Sequence, residues 1–278
     1  MKAIRPLFIA VLILSLASGM ISCGEDKPPQ KSSQQAGKAQ PSPPGPQQSA
    51  QQNLPQQPQP AQAPSTITWL AAVADDPEMS LADNLLARNY YVVLDSSGSM
   101  SESKCSGATS KSVAAKTALS HFAQAVPGDA NLGLAVFDGN GIAERVPLGS
   151  GNKERFITEV RATTPGNGTP LHDAALLGYR KLEEAGRHQA GYGEYHLVIV
   201  TDGEANTGQD PTSVVDQILK RSPVVIHTIG FCIGANHSLN QPGRTIYKAA
   251  DNPGELRKGL EDVLAESPDF DVTAFKGN

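Results

Sequence analysis

The chain has 278 residues, a formal charge of −5 and a pI near 5.7. The missing basic footprint argues against nucleic acid as a partner, and an aromatic share of 5% leaves little surface for stacking bases or sugars. Setting aside the first sixty-odd residues, which are unsuited to folding, leaves about 210, enough for one α/β unit.

At the N-terminus, Lys2 and Arg5 precede an almost wholly apolar stretch from Pro6 to Ala17, and small residues then lead into Met20-Ile21-Ser22-Cys23. That order marks residues 1–22 as a secretory signal, since the apolar run is barely long enough to span a bilayer. A cysteine directly after a small residue resembles the lipobox of bacterial lipoproteins, with Met20 standing where leucine is more usual. The resemblance implies cleavage before Cys23 and acylation of its thiol and new amino group. Several acyl chains, at roughly 0.8 kcal/mol per buried methylene, hold a protein stably on a membrane. In that family an aspartate after the lipidated cysteine favours the inner membrane, so Gly24 makes the outer membrane the preferred destination. The expected location is therefore a bacterial cell envelope, periplasm-facing or at the surface.

Residues 23–65 are dominated by Gln, Pro, Ser, Gly and Lys, as in Pro41-Ser42-Pro43-Pro44-Gly45-Pro46. Nothing there offsets ordering entropy, so a disordered tether with a polyproline bias is expected. Its reach is about 35 Å as a coil and up to about 125 Å when extended. Residues 66–87 read as an N-terminal extension of the domain, with Trp69 and a short helix around Leu81 to Leu86.

From residue 88 onward strands and helices alternate. Tyr90 to Leu94 is a buried strand, and Thr109 to Val126 a helix stopped by Pro127-Gly128. Leu132 to Phe137 is a strand, paired through a turn at Asp138 to Gly141 with Ile142 to Leu148. Lys153 to Ala162 and Leu171 to Ala185 read as helices. Tyr195 to Val200 and Val224 to Phe231 are continuous apolar strands separated by a helix from Pro211 to Arg221. A short strand near Thr245 to Lys248 and a helix from Pro253 to Ala265 complete the series. Apolar strands alternating with amphipathic helices predict an α/β, Rossmann-like, doubly wound and mostly parallel sheet, with helices on both faces across residues 88–278. Such sheets bind ligands at the carboxyl ends of their strands.

Oxygen-bearing residues gather at those ends. Asp95, Ser97 and Ser99 alternate directly after a strand, with Gly98 allowing the tight path between them. Thr201-Asp202-Gly203 follows another strand, and Thr169 lies in Gly166-Asn167-Gly168-Thr169-Pro170, just before a helix. Hydroxyls with two carboxylates form a hard donor set, suited to Mg²⁺ or Mn²⁺ rather than zinc. Taken singly, each motif also reads as an ordinary turn; three of them at one sheet edge do not.

Together these motifs resemble the metal-ion-dependent adhesion site of von Willebrand factor A domains, over roughly Arg88 to Leu264. The resemblance implies one cation held by Asp95, Ser97, Ser99, Thr169 and Asp202. The hydroxyls would lie nearest the ion and the carboxylates would act largely through water. A partner protein's Asp or Glu would then complete the coordination. A divalent charge beside only two carboxylates retains the power to attract a third.

The expected function is thus a non-enzymatic, cation-dependent protein-binding module on a lipid anchor. One alternative is a structural envelope lipoprotein that does not use the metal. Another is a metal-dependent phosphatase with Asp95 as nucleophile, disfavoured because haloacid-dehalogenase-like enzymes carry a second aspartate where Ser97 stands. No zinc-hydrolase or nucleotide-loop motif occurs. His121, His188 and His237 read as solvent-facing, His196 and His227 as sheet residues, and His172 as a surface residue near Thr169. Asp138, Asp210 and Asp251 read as turn or cap residues. With Cys23 assigned to lipid, Cys105 and Cys232 form an even pair on the site's side of the sheet. A disulfide between them, permissible after export, would close a long loop and contribute roughly 5 kcal/mol.

Overall fold

The computed structural model describes Trp69 and residues 80–265, all within one compact unit. The signal segment, Cys23, the tether and the C-terminal tail lie outside the described residues. Six strands form one sheet in the order β3-β2-β1-β4-β5-β6. They are β1 (Arg88–Asp95), β2 (Asn131–Asp138), β3 (Gly141–Gly149), β4 (Glu194–Thr201), β5 (Val225–Phe231) and β6 (Ile246–Ala250). Every pairing is parallel except that of β2 with β3, the hairpin edge. The chain winds outward from β1 to β3, then returns to β4 on the other side of β1. The strand order therefore reverses between β1 and β4, which opens a crevice at their carboxyl ends.

Among the described residues five α-helices cover the sheet: α1 (Lys111–Ala125), α2 (Lys153–Ala162), α3 (Leu171–His188), α4 (Thr212–Arg221) and α5 (Pro253–Ala265). Strand alternation sorts the central residues between two cores. Tyr90, Val92 and Leu94 of β1 face Phe122 of α1, Phe156 of α2 and Leu260 of α5. Tyr91 and Val93 face Tyr179 and Leu182 of α3 and Val215 of α4. The central strands are buried on both sides, as continuous apolar runs require. Helix α1 starts at a Ser110 side chain that accepts the Val113 N–H, and it ends before Pro127.

Trp69 belongs to the α3–α4 core. Its ring stacks on Tyr179 with centroids 6.3 Å apart and meets Tyr195 edge-on at 4.9 Å. Gly186 makes room for it, since a Cβ there would stand 2.4 Å from the indole ring. Gly186 closes α3 and Tyr195 opens β4, so the contact lies at the end of the sheet opposite the crevice.

The segment 81–86 is not the helix its sequence suggested. Residues 80–87 run as an extended loop with a turn, in which the Asn84 side chain accepts the Leu86 N–H. Asn side chains compete with the backbone in this way and favour turns over helix. The loop is held by Ala82 N–H donating to the His188 carbonyl and by His188 Nδ1 bonding to the Ser80 carbonyl.

Candidate functional site

Asp95 ends β1, and its strand neighbour β4 ends at Thr201. The Asp95 carboxylate is wholly buried, with Oδ1 accepting the Ser97 N–H at 2.7 Å and Oδ2 accepting the Thr201 hydroxyl at 2.6 Å. Burial pushes this carboxyl up to about 6; the neighbouring Asp202 charge adds to the shift, while the bonds from Thr201 and Ser97 oppose it. The loop then turns through a short 3-10 segment, Gly98–Ser101. Ser97 Oγ and Ser99 Oγ lie 3.1 Å apart, and the Ser99 hydroxyl donates to Asp202 Oδ1 at 2.8 Å.

The third loop is stitched to the first by backbone. Gly98 N–H donates to the Asn167 carbonyl at 3.1 Å, and Gly166 N–H donates to Ser96 O at 3.0 Å. The Thr169 carbonyl accepts the Asn206 N–H, tying that loop to the chain after β4. Gly203 stands among the hydroxyls: a methyl there would lie 3.7 Å from Thr169 Oγ1 and 3.9 Å from Ser99 Oγ. The fold thus brings all five sequence-predicted residues to one crevice, where the bare backbone of Gly203 lies beside the Thr169 and Ser99 hydroxyls. Hydroxyl and carboxylate oxygens around a gap that a Cβ would enter fit a hard divalent cation.

Sequence reading missed two further residues. Lys111, the first residue of α1, sends its Nζ to Asp202 Oδ2 at 2.7 Å and to Glu102 Oε2 at 3.3 Å. Burial alone would lower its pKa, but the bond and charge of Asp202, and then Glu102, raise it. The signal was a lysine placed where the positive end of a helix disfavours cations. His237 is not solvent-facing. Its buried ring stacks on Tyr247, Nε2 donates to the Gly203 carbonyl at 2.9 Å, and Nδ1 accepts the Leu239 N–H at 3.0 Å. Only the folded chain brings these loops together, so no local signal marks it.

The other polar residues fall into place around the crevice. Asp138 takes the Asn140 N–H, as a turn residue should, and its buried carboxylate also pairs with the half-buried Arg145. Asp210 caps Thr212, whereas Asn252, not Asp251, accepts the N–H of Glu255 at the start of α5. His172 sits in a surface network with Asp173 and Gln209. His121 is exposed, and His196 and His227 lie buried in the sheet.

Cys105 and Cys232 are adjacent on the site's side of the sheet, but both are free thiols. Cys232 Sγ donates to the Lys104 carbonyl at 3.1 Å, and burial together with the adjoining Cys105 pushes its thiol up to about 12. Both residues adopt left-handed backbone, with φ of 57° and 67°, so local geometry fixes their positions tightly.

The model of the von Willebrand factor type A domain matches residues 89–273. The chain belongs to this family. Among solved structures, the A domain resembles conserved hypothetical protein BatB from Bacteroides thetaiotaomicron at 16% identity and a TM-score of 0.50. That match covers 64% of this chain and 97% of BatB. A von Willebrand factor type A protein from Catenulispora acidiphila matches at 17% identity and a TM-score of 0.52, covering 65% of this chain and 43% of that one. The pilus adhesin SpaC from Lactobacillus rhamnosus GG matches at 14% identity and a TM-score of 0.52, over 67% of this chain and 31% of the adhesin. At these identities the likeness is one of fold. No curated protein matches the sequence.

Proposed function

We propose that the A domain is a non-enzymatic protein-binding module that uses one divalent cation, Mg²⁺ or Mn²⁺, at Asp95, Ser97, Ser99, Thr169 and Asp202. The observation that carries this reading is the commitment of both carboxylates to donors of the chain itself, Asp202 including the Lys111 ammonium among its own. Asp95 spends its oxygens on Ser97 and Thr201, and Asp202 takes the Ser99 hydroxyl. A serine that donates its proton to Asp202 keeps its lone pairs for a cation, so the hydroxyls rather than the carboxylates face it. Such a cation, bound with few direct anionic ligands, would supply an electrophilic centre for an Asp or Glu of a partner protein. The chain's own part is to hold the oxygens in register. His237 and the backbone bonds from Gly98, Gly166 and Asn206 fix the three loops that do so.

The same reading covers placement. Acylation at Cys23 would hold the protein at a bacterial envelope, with the outer membrane preferred. A pilus adhesin and an aerotolerance-related membrane protein among structures of similar fold support an interaction role at a cell surface. A disulfide between the neighbouring Cys105 and Cys232, both free thiols in this structure, would stiffen the rim beside Asp202.

Calorimetric titration of Mg²⁺ and Mn²⁺ into the mature chain, with Asp95→Ala alongside, tests the metal. Uptake abolished by the substitution is expected. A wild type that captures its partner equally well in EDTA would favour the structural-lipoprotein alternative. Phosphate release from p-nitrophenyl phosphate lost in Asp95→Ala would favour the phosphatase.

A further inference from the structure

An ammonium group at the first position of a helix faces the positive end of the backbone dipoles. Lys111 occupies that position, with its side chain only 4% exposed. Burying an ammonium there is costly unless a specific anion compensates. The compensation is Asp202, whose side chain is wholly buried and lies 2.7 Å from Nζ. Glu102 joins from the rim at 3.3 Å with a largely exposed carboxylate. The Lys111 N–H also donates to the Glu102 carbonyl at 2.8 Å, which closes the intervening loop and fixes where the side chain starts. Asp202 is thus shared between the Ser99 hydroxyl on one oxygen and Lys111 on the other.

We propose that Lys111 is a built-in counter-charge of the cation site: it holds Asp202 in position before the ion arrives and limits how tightly the ion is bound. The proposal rests on the reading of the crevice as a cation site. Its physical basis is the distribution of charge. Asp95 and Asp202 are both buried and repel each other, and among the described residues the Lys111 ammonium is the positive group bonded to the pair. When a divalent ion enters beside Ser97, Ser99 and Thr169, the same ammonium repels it. Glu102 moderates that repulsion from the rim. A site tuned in this way holds the bare ion weakly and gains more from a partner's carboxylate, so ion and partner bind together.

The test is Mg²⁺ titration of the mature chain and of Lys111→Met, Lys111→Arg and Glu102→Gln, with thermal unfolding of each in EDTA and in Mg²⁺. Lys111→Met is expected to bind Mg²⁺ on the order of tenfold more tightly, to unfold at lower temperature in EDTA, and to recover more than the wild type when Mg²⁺ is added. Lys111→Arg is expected to keep wild-type affinity. Glu102→Gln, at an exposed side chain, is expected to bind several-fold more weakly, and it carries the test if Lys111→Met does not fold in EDTA. A loss of packing alone would weaken Mg²⁺ binding in Lys111→Met. Equal or weaker binding in that variant, or unchanged binding in Glu102→Gln, overturns the counter-charge. Failure of the wild type to take up Mg²⁺ at all overturns the reading of the site itself.

Discussion

Replacing Trp69 with alanine tests whether the N-terminal segment is part of the folded unit. The indole is 6% exposed and rests on Tyr179, Tyr195 and the bare backbone of Gly186. A buried tryptophan removes roughly 150–250 Å² from water, which at about 25 cal/mol per Å² is about 4–6 kcal/mol as an upper bound. Trp-to-Ala substitutions in cores cost about 3–5 kcal/mol, because the surroundings collapse only in part. Gly186 cannot fill the space, so the upper half of that range is expected here. For a domain of this size each kcal/mol moves the melting temperature by roughly 2–4 °C, which gives a fall of about 8–20 °C. Differential scanning calorimetry of the protein in EDTA reads it directly. Mg²⁺ affinity should be unchanged, because the ring lies at the opposite end of the sheet from Asp95. A melting temperature within about 2 °C of wild type would refute the view that the segment is anchored, and a large loss of Mg²⁺ affinity would refute the separation of the two ends.

Gly203→Ala should keep the fold, since its methyl makes only ordinary contacts of 3.7 and 3.9 Å, yet abolish Mg²⁺ uptake by standing beside the Thr169 and Ser99 hydroxyls. Uptake at wild-type strength would show that the ion does not use that space. Acid should weaken the domain through the histidine pair, whose rings are bonded at 3.1 Å. Burial, then the facing His196 and Lys248, pushes His227 down to about 3, and burial lowers His196 against the opposing Glu194 charge. The unfolded chain binds protons below about pH 6.5 that the native pair refuses, so stability is complete above that pH and is lost as pH falls toward 3. For His227 the slope is about 1.4 kcal/mol per pH unit across that range, and His196 adds to it in the same direction. Chemical denaturation at pH 7 and pH 5 measures it, and an unchanged slope in His227→Gln would exclude the pair as the source. Mild oxidation of the purified protein should join Cys105 to Cys232; an intact mass that does not differ by two hydrogens before and after reduction rules the bond out.

Much of this protein is determined locally and is therefore legible in its sequence. Continuous apolar runs such as Tyr90 to Leu94 and Tyr195 to Val200 can only be strands buried on both faces, and the helices between them impose parallel pairing. Asp95, Ser97, Ser99 and Asp202 leave such strands and must share one sheet edge, whereas Thr169 lies between two helices and joined the set through the resemblance to the family's site. The helix expected at Leu81 to Leu86 failed because Asn84 offered its own backbone a competing bond. Other features exist only once distant loops touch. His237 looks like a loop histidine until Gly203 and Tyr247 close around it. Lys111 looks like a solvated helix start until Asp202, far along the chain, arrives beside it. Side-chain type and spacing set the fold class and the donor atoms. The charge balance around those donors was decided by tertiary structure, because burial and Coulomb interactions depend on distances that sequence separation does not encode.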